Sequence, residues 1–288
     1  MNDIKIFYLD RDVADVFSGL MPSAVKNAID QGTFAIGAIA EDGEKPQAAG
    51  VLTGHIDPPE MVLDWLFVAP EYRRRGIAAR LVDTVAATAV KQVQLEGIVT
   101  QFSGEHEGMD AFLEEFGFLN YEMEGMCQYR SRISELSLPE KKTDKEGTTV
   151  PLSEVPARAW KQLTIEVNDA GKTEKPISCG VPLPILPEDY LPESRAIVED
   201  GRISALILLE RDGDAINVAW LYGDSGKPML LLRVLGDAAD QVRSAYGEDI
   251  ELVFGTLNEQ SSRLAERLMP DAEVSPLYSS FYIFSEEI

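Results

Sequence analysis

Three consecutive arginines followed by a glycine and small residues, Arg73-Arg74-Arg75-Gly76-Ile77-Ala78-Ala79, form the segment of this chain best suited to holding an anion. Apolar residues recur every four positions at Ile77, Leu81, Val85, Ala89 and Val93, which predicts a helix over 76–93. The first N–H groups of a helix lack intrahelical partners and carry partial positive charge, so the loop and the helix start together make a phosphate site. Gly76, Ala78 and Ala79 let a diphosphate come close to the backbone. Positive side chains at a helix N-terminus oppose the macrodipole, and a bound anion removes that conflict. The spacing fits neither GxxxxGK[ST] nor GxGxxG.

Groups able to move a proton lie on either side of this loop. Asp64 stands in a stretch that reads as a strand, 61–68, where alternation puts it on one face with Leu66 and Val68. A carboxylate in such company needs a partner or a raised pKa. The chain has two histidines. His106 falls in a loop before a helix, and its ordinary pKa suits proton transfer near neutrality. His55, at a strand end before Asp57-Pro58, ranks below it. Cys127 and Cys179 form no CxxC pair, so neither a disulfide framework nor a metal site is expected.

The elements that must position these residues follow from hydrophobic period and turn signals. An extended start at 4–9 is followed by helical segments near 13–20 and 24–29. Strands at 33–40 and 48–56 flank an Asp-Gly turn, and Pro58-Pro59 ends the second of them. The strand 61–68, the long helix, a strand at 97–102, a helix at 108–116 and two last strands within 118–133 complete a first unit. Residues 139–147, PEKKTDKEG, contain no apolar side chain and read as a linker. Beyond it the order repeats, with strands at 194–199, 203–210 and 215–222, a helix at 228–246, a strand at 250–256 and a helix at 259–268. The offsets of roughly 150 to 158 positions indicate an internal duplication. A proline-rich stretch at 173–191 reads as irregular.

The loop resembles the acetyl-CoA loop of the GNAT acetyltransferase superfamily, [Arg/Gln]-x-x-Gly-x-[Gly/Ala], with Arg73, Gly76 and Ala78 in the three defined positions. Val68-x-Pro70-x-Tyr72 upstream and the run Ala111 to Phe118 downstream extend the resemblance over residues 1 to about 130. It implies that acetyl-CoA is the co-substrate. Arg73, Arg74, Arg75, Gly76, Ala78 and Ala79 would hold its diphosphate. A bulge and strand splay near Val68 would let its pantetheine arm pair with the backbone of Leu66, Phe67 and Val68. Asp64 occupies the place where many members put a Glu that takes the proton from the acceptor amine. Two positions depart from the pattern: Leu113 replaces the Tyr credited as general acid, and His106 replaces an Asn that bonds the cofactor.

The second unit keeps the other half of the pattern, because Asn258 to Leu268 is similar to the family's Asn-to-Leu run, with Ala265 in place of the Tyr. Its loop, 223–228, places Asp224 where a phosphate would sit, and Pro228 removes an N–H donor. This copy is expected to bind no CoA. The resemblance thus implies tandem GNAT-like α/β folds with mixed sheets: a catalytic unit at 1–138, a linker at 139–147 and a degenerate unit at 148–288 that shapes the acceptor side.

Net charge of −23 argues against nucleic-acid and anionic membrane partners, and favours a cationic small-molecule or peptide amine as acceptor. With Asp3 near the start and no apolar leader, the chain is expected in the cytoplasm. The expected activity is N-acetyl transfer to a primary amine. The alternatives are a non-catalytic acyl-CoA-binding regulatory or scaffold protein and a role in assembly alone; the oligomeric state is left open.

Overall fold

The computed structural model describes residues 4–29, 32–41, 46–89, 95–104, 108–138, 147–173, 186–212, 214–223 and 227–284. Two compact units divide the chain. One comprises Met1–Met123 together with Pro276–Ile288, and the other Glu124–Ser275.

In the first unit, β1 (Ile4–Leu9), β2 (Thr33–Ala40), β3 (Gln47–Asp57) and β4 (Glu60–Val68) form an antiparallel meander, and β4 continues parallel to β5 (Gly97–Ser103). Both faces of the meander are covered. On one, α3 (Ile77–Thr88) buries Ile77, Leu81, Val82 and Val85 against Ile36, Leu52, Leu63 and Ile98. On the other, α1 (Arg11–Ala14), a 3₁₀ turn at Asp15–Phe17 and α2 (Ser23–Asn27) enclose Phe17, Met21, Ile29 and Val51. A sheet covered twice must be apolar on both sides of its strands, which is why β2 reads TFAIGAIA without alternation. Residues 90–93 of the expected long helix lie outside the described residues, as do 42–44 of the expected Asp-Gly turn.

The second unit has the same strand plan. β7 (Thr149–Pro151), β8 (Arg195–Glu199), β9 (Arg202–Asp212) and β10 (Ala215–Gly223) run antiparallel, and β10 pairs parallel with β11 (Glu251–Gly255). The helices α6 (Pro228–Tyr246) and α7 (Glu259–Leu268) pack their apolar faces into the core that also holds Ile207, Ile216, Val218 and Phe254. Helix α5 (Ala157–Thr173) has no counterpart among the elements expected from the sequence.

Two expectations are corrected. The segment 118–133 holds one long strand, β6 (Leu119–Arg132), and not two. The division at 1–138 and 148–288 also differs from the compact units, and 139–146 of the expected linker lie outside the described residues. The cause is an exchange of strands. Residues 128–132 of β6 pair antiparallel with β11 in the second unit, whereas β12 (Glu273–Ile283) pairs antiparallel with β5 from Leu277 onward and completes the first. Both β5 and β11 would otherwise be parallel strands with an open edge carrying unpaired backbone groups.

Each unit thus has the mixed sheet and flanking helices of the expected α/β class. Among the described residues no helix is long and apolar enough to cross a membrane.

Candidate active site

The register of β3 against β4 shifts at one point: Thr53 pairs with Trp65, but the next pair is Gly54 with Leu63. Asp64 is the extra residue, so the strand bulges there. Gly54 permits it, since a Cβ at that position would lie 2.3 Å from the Val62 carbonyl oxygen. The bulge resets the alternation of β4. Met61 and Leu63 before it, and Leu66 and Val68 after it, face the α3 core, while Trp65 and Phe67 pack on the opposite side. Asp64 therefore does not share a face with Leu66 and Val68. It shares one with His55 of β3, whose Nδ1 lies 2.9 and 3.1 Å from the two carboxylate oxygens. That hydrogen bond raises the His55 pKa above its usual 6.5 against the opposing pull of partial burial, and the charges of Asp64 and Asp57 add to the rise.

The bulge also marks where two strands part. The parallel ladder of β4 with β5 runs from Glu60–Gly97 to Leu63–Thr100 and stops, although both strands continue. Beyond Leu63 the β5-facing edge of β4, carrying Leu66, Phe67 and Val68, has no strand partner among the described residues. The bulge sits at Asp64, at the apex of the splay, and not near Val68 as the resemblance implied.

After Val68 a 3₁₀ turn, Pro70–Tyr72, brings the chain to the arginine run. Arg73 Nε donates to the Val68 carbonyl at 3.0 Å and its guanidinium lies over the Phe67 ring. Arg75 donates to the Glu71 carbonyl at 2.9 Å and lies over the Tyr72 ring. These cation–π and carbonyl contacts hold two guanidinium groups beside the loop. Arg74 and Gly76 both adopt left-handed conformations, φ 61° and 73°. Gly76 is the N-cap of α3, and there is no capping side chain and no acid in the first turn. The space where its Cβ would project is open. Ala78 and Ala79 follow with minimal side chains. Uncapped backbone donors, flanking guanidinium groups and a first helical turn without an acid fit a diphosphate, and the open edge of β4 fits an extended amide-bearing arm.

The remaining expected residues divide. His106 lies outside the described residues, as do Cys179 and Asp224. Leu113 on α4 (Met109–Glu115) is buried in the α3 core, and Ala265 on α7 is fully buried in the second unit, so neither position offers a proton. Asn258, which looked like the cofactor-bonding Asn, caps α7: its Oδ1 accepts from Ser261 N at 2.9 Å. In the second unit, Pro228 stands at the first position of α6, and Lys227 before it is paired with Glu199 at 2.7 Å.

Two features of the site escaped sequence reading. One is the His55–Asp64 pair, whose signal was the hairpin at 57–60: Asp57 opposite Glu60 makes His55 the diagonal neighbour of Asp64. The other is Tyr278, which β12 brings from the far end of the chain to stack on Phe102 of β5 at 5.3 Å.

The first unit thus combines a sheet splayed between two parallel strands with an uncapped helix start beside the gap, an arrangement that fits an acyltransferase-type domain. Residues 9–118 match the Acetyltransferase (GNAT) family. Over the whole chain the fold is that of a tandem GNAT protein. A tandem GNAT protein from the clavulanic acid biosynthesis pathway superposes with a TM-score of 0.58 at 14% identity, covering 99% of this chain and 100% of that one. An acetyltransferase candidate from Pyrococcus horikoshii gives 0.57 at 15% identity, covering 99% and 90%. No curated protein sequence matches the chain. Among the described residues no group of three or more His, Cys, Asp or Glu is placed to hold a metal.

Proposed function

We propose that the first unit transfers an acetyl group from acetyl-CoA to a primary amine. The observation that carries this reading is the uncapped, acid-free start of α3 at Gly76, beside a strand gap whose apex holds the His55–Asp64 pair. Acetyl-CoA supplies the acetyl group as a reactive thioester. Arg73, Arg74, Arg75 and the N–H groups of Gly76, Ala78 and Ala79 hold its diphosphate, and the open edge of β4 from Leu66 to Val68 holds its arm.

An amine with a solution pKa near 10 must lose a proton before its nitrogen can form a bond, so a base beside the gap is needed. Asp64 accepts the Nδ1–H of His55, which leaves Nε2 as the proton acceptor and stabilises the imidazolium that forms. The base is then His55, with Asp64 as its positioning residue, and the role given to Asp64 alone is divided between the two. Holding amine and thioester together supplies the remainder of the rate. The second unit, with Pro228 and the Lys227–Glu199 bridge at its α6 start, is the copy that binds no CoA.

A second reading, an acyl-CoA-binding protein without turnover, is favoured by the apolar burial of Leu113 and Ala265. Release of free CoA thiol during incubation of acetyl-CoA with a panel of primary amines decides between them. Amine-dependent release supports transfer; acetyl-CoA binding without any release supports the second reading.

A further inference from the structure

The face of the first sheet that carries His55 and Asp64 continues as an apolar surface. His55 lies opposite Val62 across β3–β4, Val62 opposite Val99 across β4–β5, and Val99 opposite Phe281 across β5–β12. Their neighbours Met61 and Ile98 face the α3 core, so this row lies on the other side of the sheet. Four side chains on adjacent strands at about 4.8 Å spacing make a row about 14 Å long. Past Phe281 the surface continues with Tyr121, whose ring centroid is 6.0 Å from that of Phe281, and with Leu119 and Ile283. Leu119, Tyr121 and Ile283 are each more than half exposed, and Phe281 is 37% exposed. Val62 and Val99, between these residues and the His55–Asp64 pair, are half-buried, and a partly exposed apolar row that runs up to a reactive pair fits a binding site.

The opposite end of the row is anionic. By strand alternation Asp57, Glu60 and Asp64 share the His55 face, and none of the row's apolar members carries a charge. A molecule complementary to the whole row has a cationic nitrogen at one end and an apolar, ring-sized body at the other. We propose that this face binds the acceptor, and that the acceptor is a small primary amine bearing an aromatic or branched apolar group. The inference rests on the amine-acetylation reading of the same site and specifies its substrate class. The row's length suits one small molecule, with the ammonium at His55–Asp64 and the ring over Val62, Val99 and Phe281.

The test compares 2-phenylethylamine, ethylamine and the uncharged 2-phenylethanol in the full-length protein. Calorimetry should show 2-phenylethylamine binding at least tenfold more tightly than either of the others, and kcat/KM should favour it over ethylamine by a similar factor. Phe281→Ser and Tyr121→Ser, both at exposed positions and checked by thermal melting, should collapse the ratio toward one. Equal affinity for the two amines, or a ratio that both variants preserve, overturns the proposal. So does a concentration-dependent dimer in sedimentation that Phe281→Ser abolishes, because the patch is then an interface between copies. If 2-phenylethylamine binds in a Phe281-dependent manner but no amine is acetylated, the site assignment stands and the acetyl-transfer reading fails.

Discussion

His55 and Asp64, nine residues apart in sequence, meet across the β3–β4 hairpin because the bulged residue is the acid itself, with Nδ1 to carboxylate distances of 2.9 and 3.1 Å. The pair sets the pH dependence of the proposed reaction. With its pKa raised above 6.5, His55 is neutral and able to accept a proton only at higher pH. The plot of kcat/KM against pH should rise through a limb centred above 6.5. Asp64→Asn removes the hydrogen bond to an anion and its charge, so the limb should move to lower pH. Its plateau should fall by about tenfold or more, while acetyl-CoA affinity stays within about twofold. An unshifted limb in Asp64→Asn refutes the coupling.

The same shift makes a prediction about folding. A histidine whose pKa is higher folded than unfolded contributes stability that is fully present below the unfolded value and lost as pH rises through the folded one. A double-mutant cycle on His55→Ala and Asp64→Ala by urea denaturation should therefore give a larger coupling at pH 5.5 than at pH 9. Both side chains are partly exposed, 42% and 27%, so the coupling should be about 1 kcal/mol or less. Equal coupling at both pH values would contradict the ion-pair description.

Strand exchange predicts that the first unit does not fold from the first half of the chain alone. A chain ending at Ser275 loses β12, which pairs with β5 from Leu277 to Ile283 and packs Tyr282 against Phe118 at 5.3 Å. It should lose cooperative thermal unfolding of the first unit, and a fragment ending at Leu138 should behave likewise. A synthetic peptide covering residues 276–288 should restore part of the transition. Retention of full acetyl-CoA binding by the fragment 1–138 would show that β12 is dispensable.

Local patterns in the sequence were readable and non-local ones were not. The loop from Arg73 to Ala78 could be placed between a strand and a helix because its signals, Pro70, Gly76 and the four-residue apolar spacing, lie within one short segment. The strands of the second unit, from β8 to β11, likewise emerged within a residue or two of their bounds. The bulge at Asp64 was hidden because it depends on a close approach of Gly54 to the Val62 carbonyl oxygen, which no periodicity encodes. The exchange of β6 and β12 was hidden for a related reason. Alternation shows that a stretch is a strand but not which edge it joins, and the partner of β5 lies beyond 270 in the chain. The same gap in pairing information assigned Tyr278 and Phe281 to the wrong unit.

The proposed function requires one acetyl-CoA site per chain, at the start of α3. Calorimetric titration of the full-length protein with acetyl-CoA measures it directly, alongside Gly76→Asp, which adds a negative charge and a left-handed strain of about 1 kcal/mol at φ 73°. The wild type should bind with a stoichiometry of one, and Gly76→Asp should lose at least tenfold in affinity, with both proteins folded by circular dichroism. A stoichiometry of two, no binding at all, or unchanged affinity in Gly76→Asp would contradict that requirement.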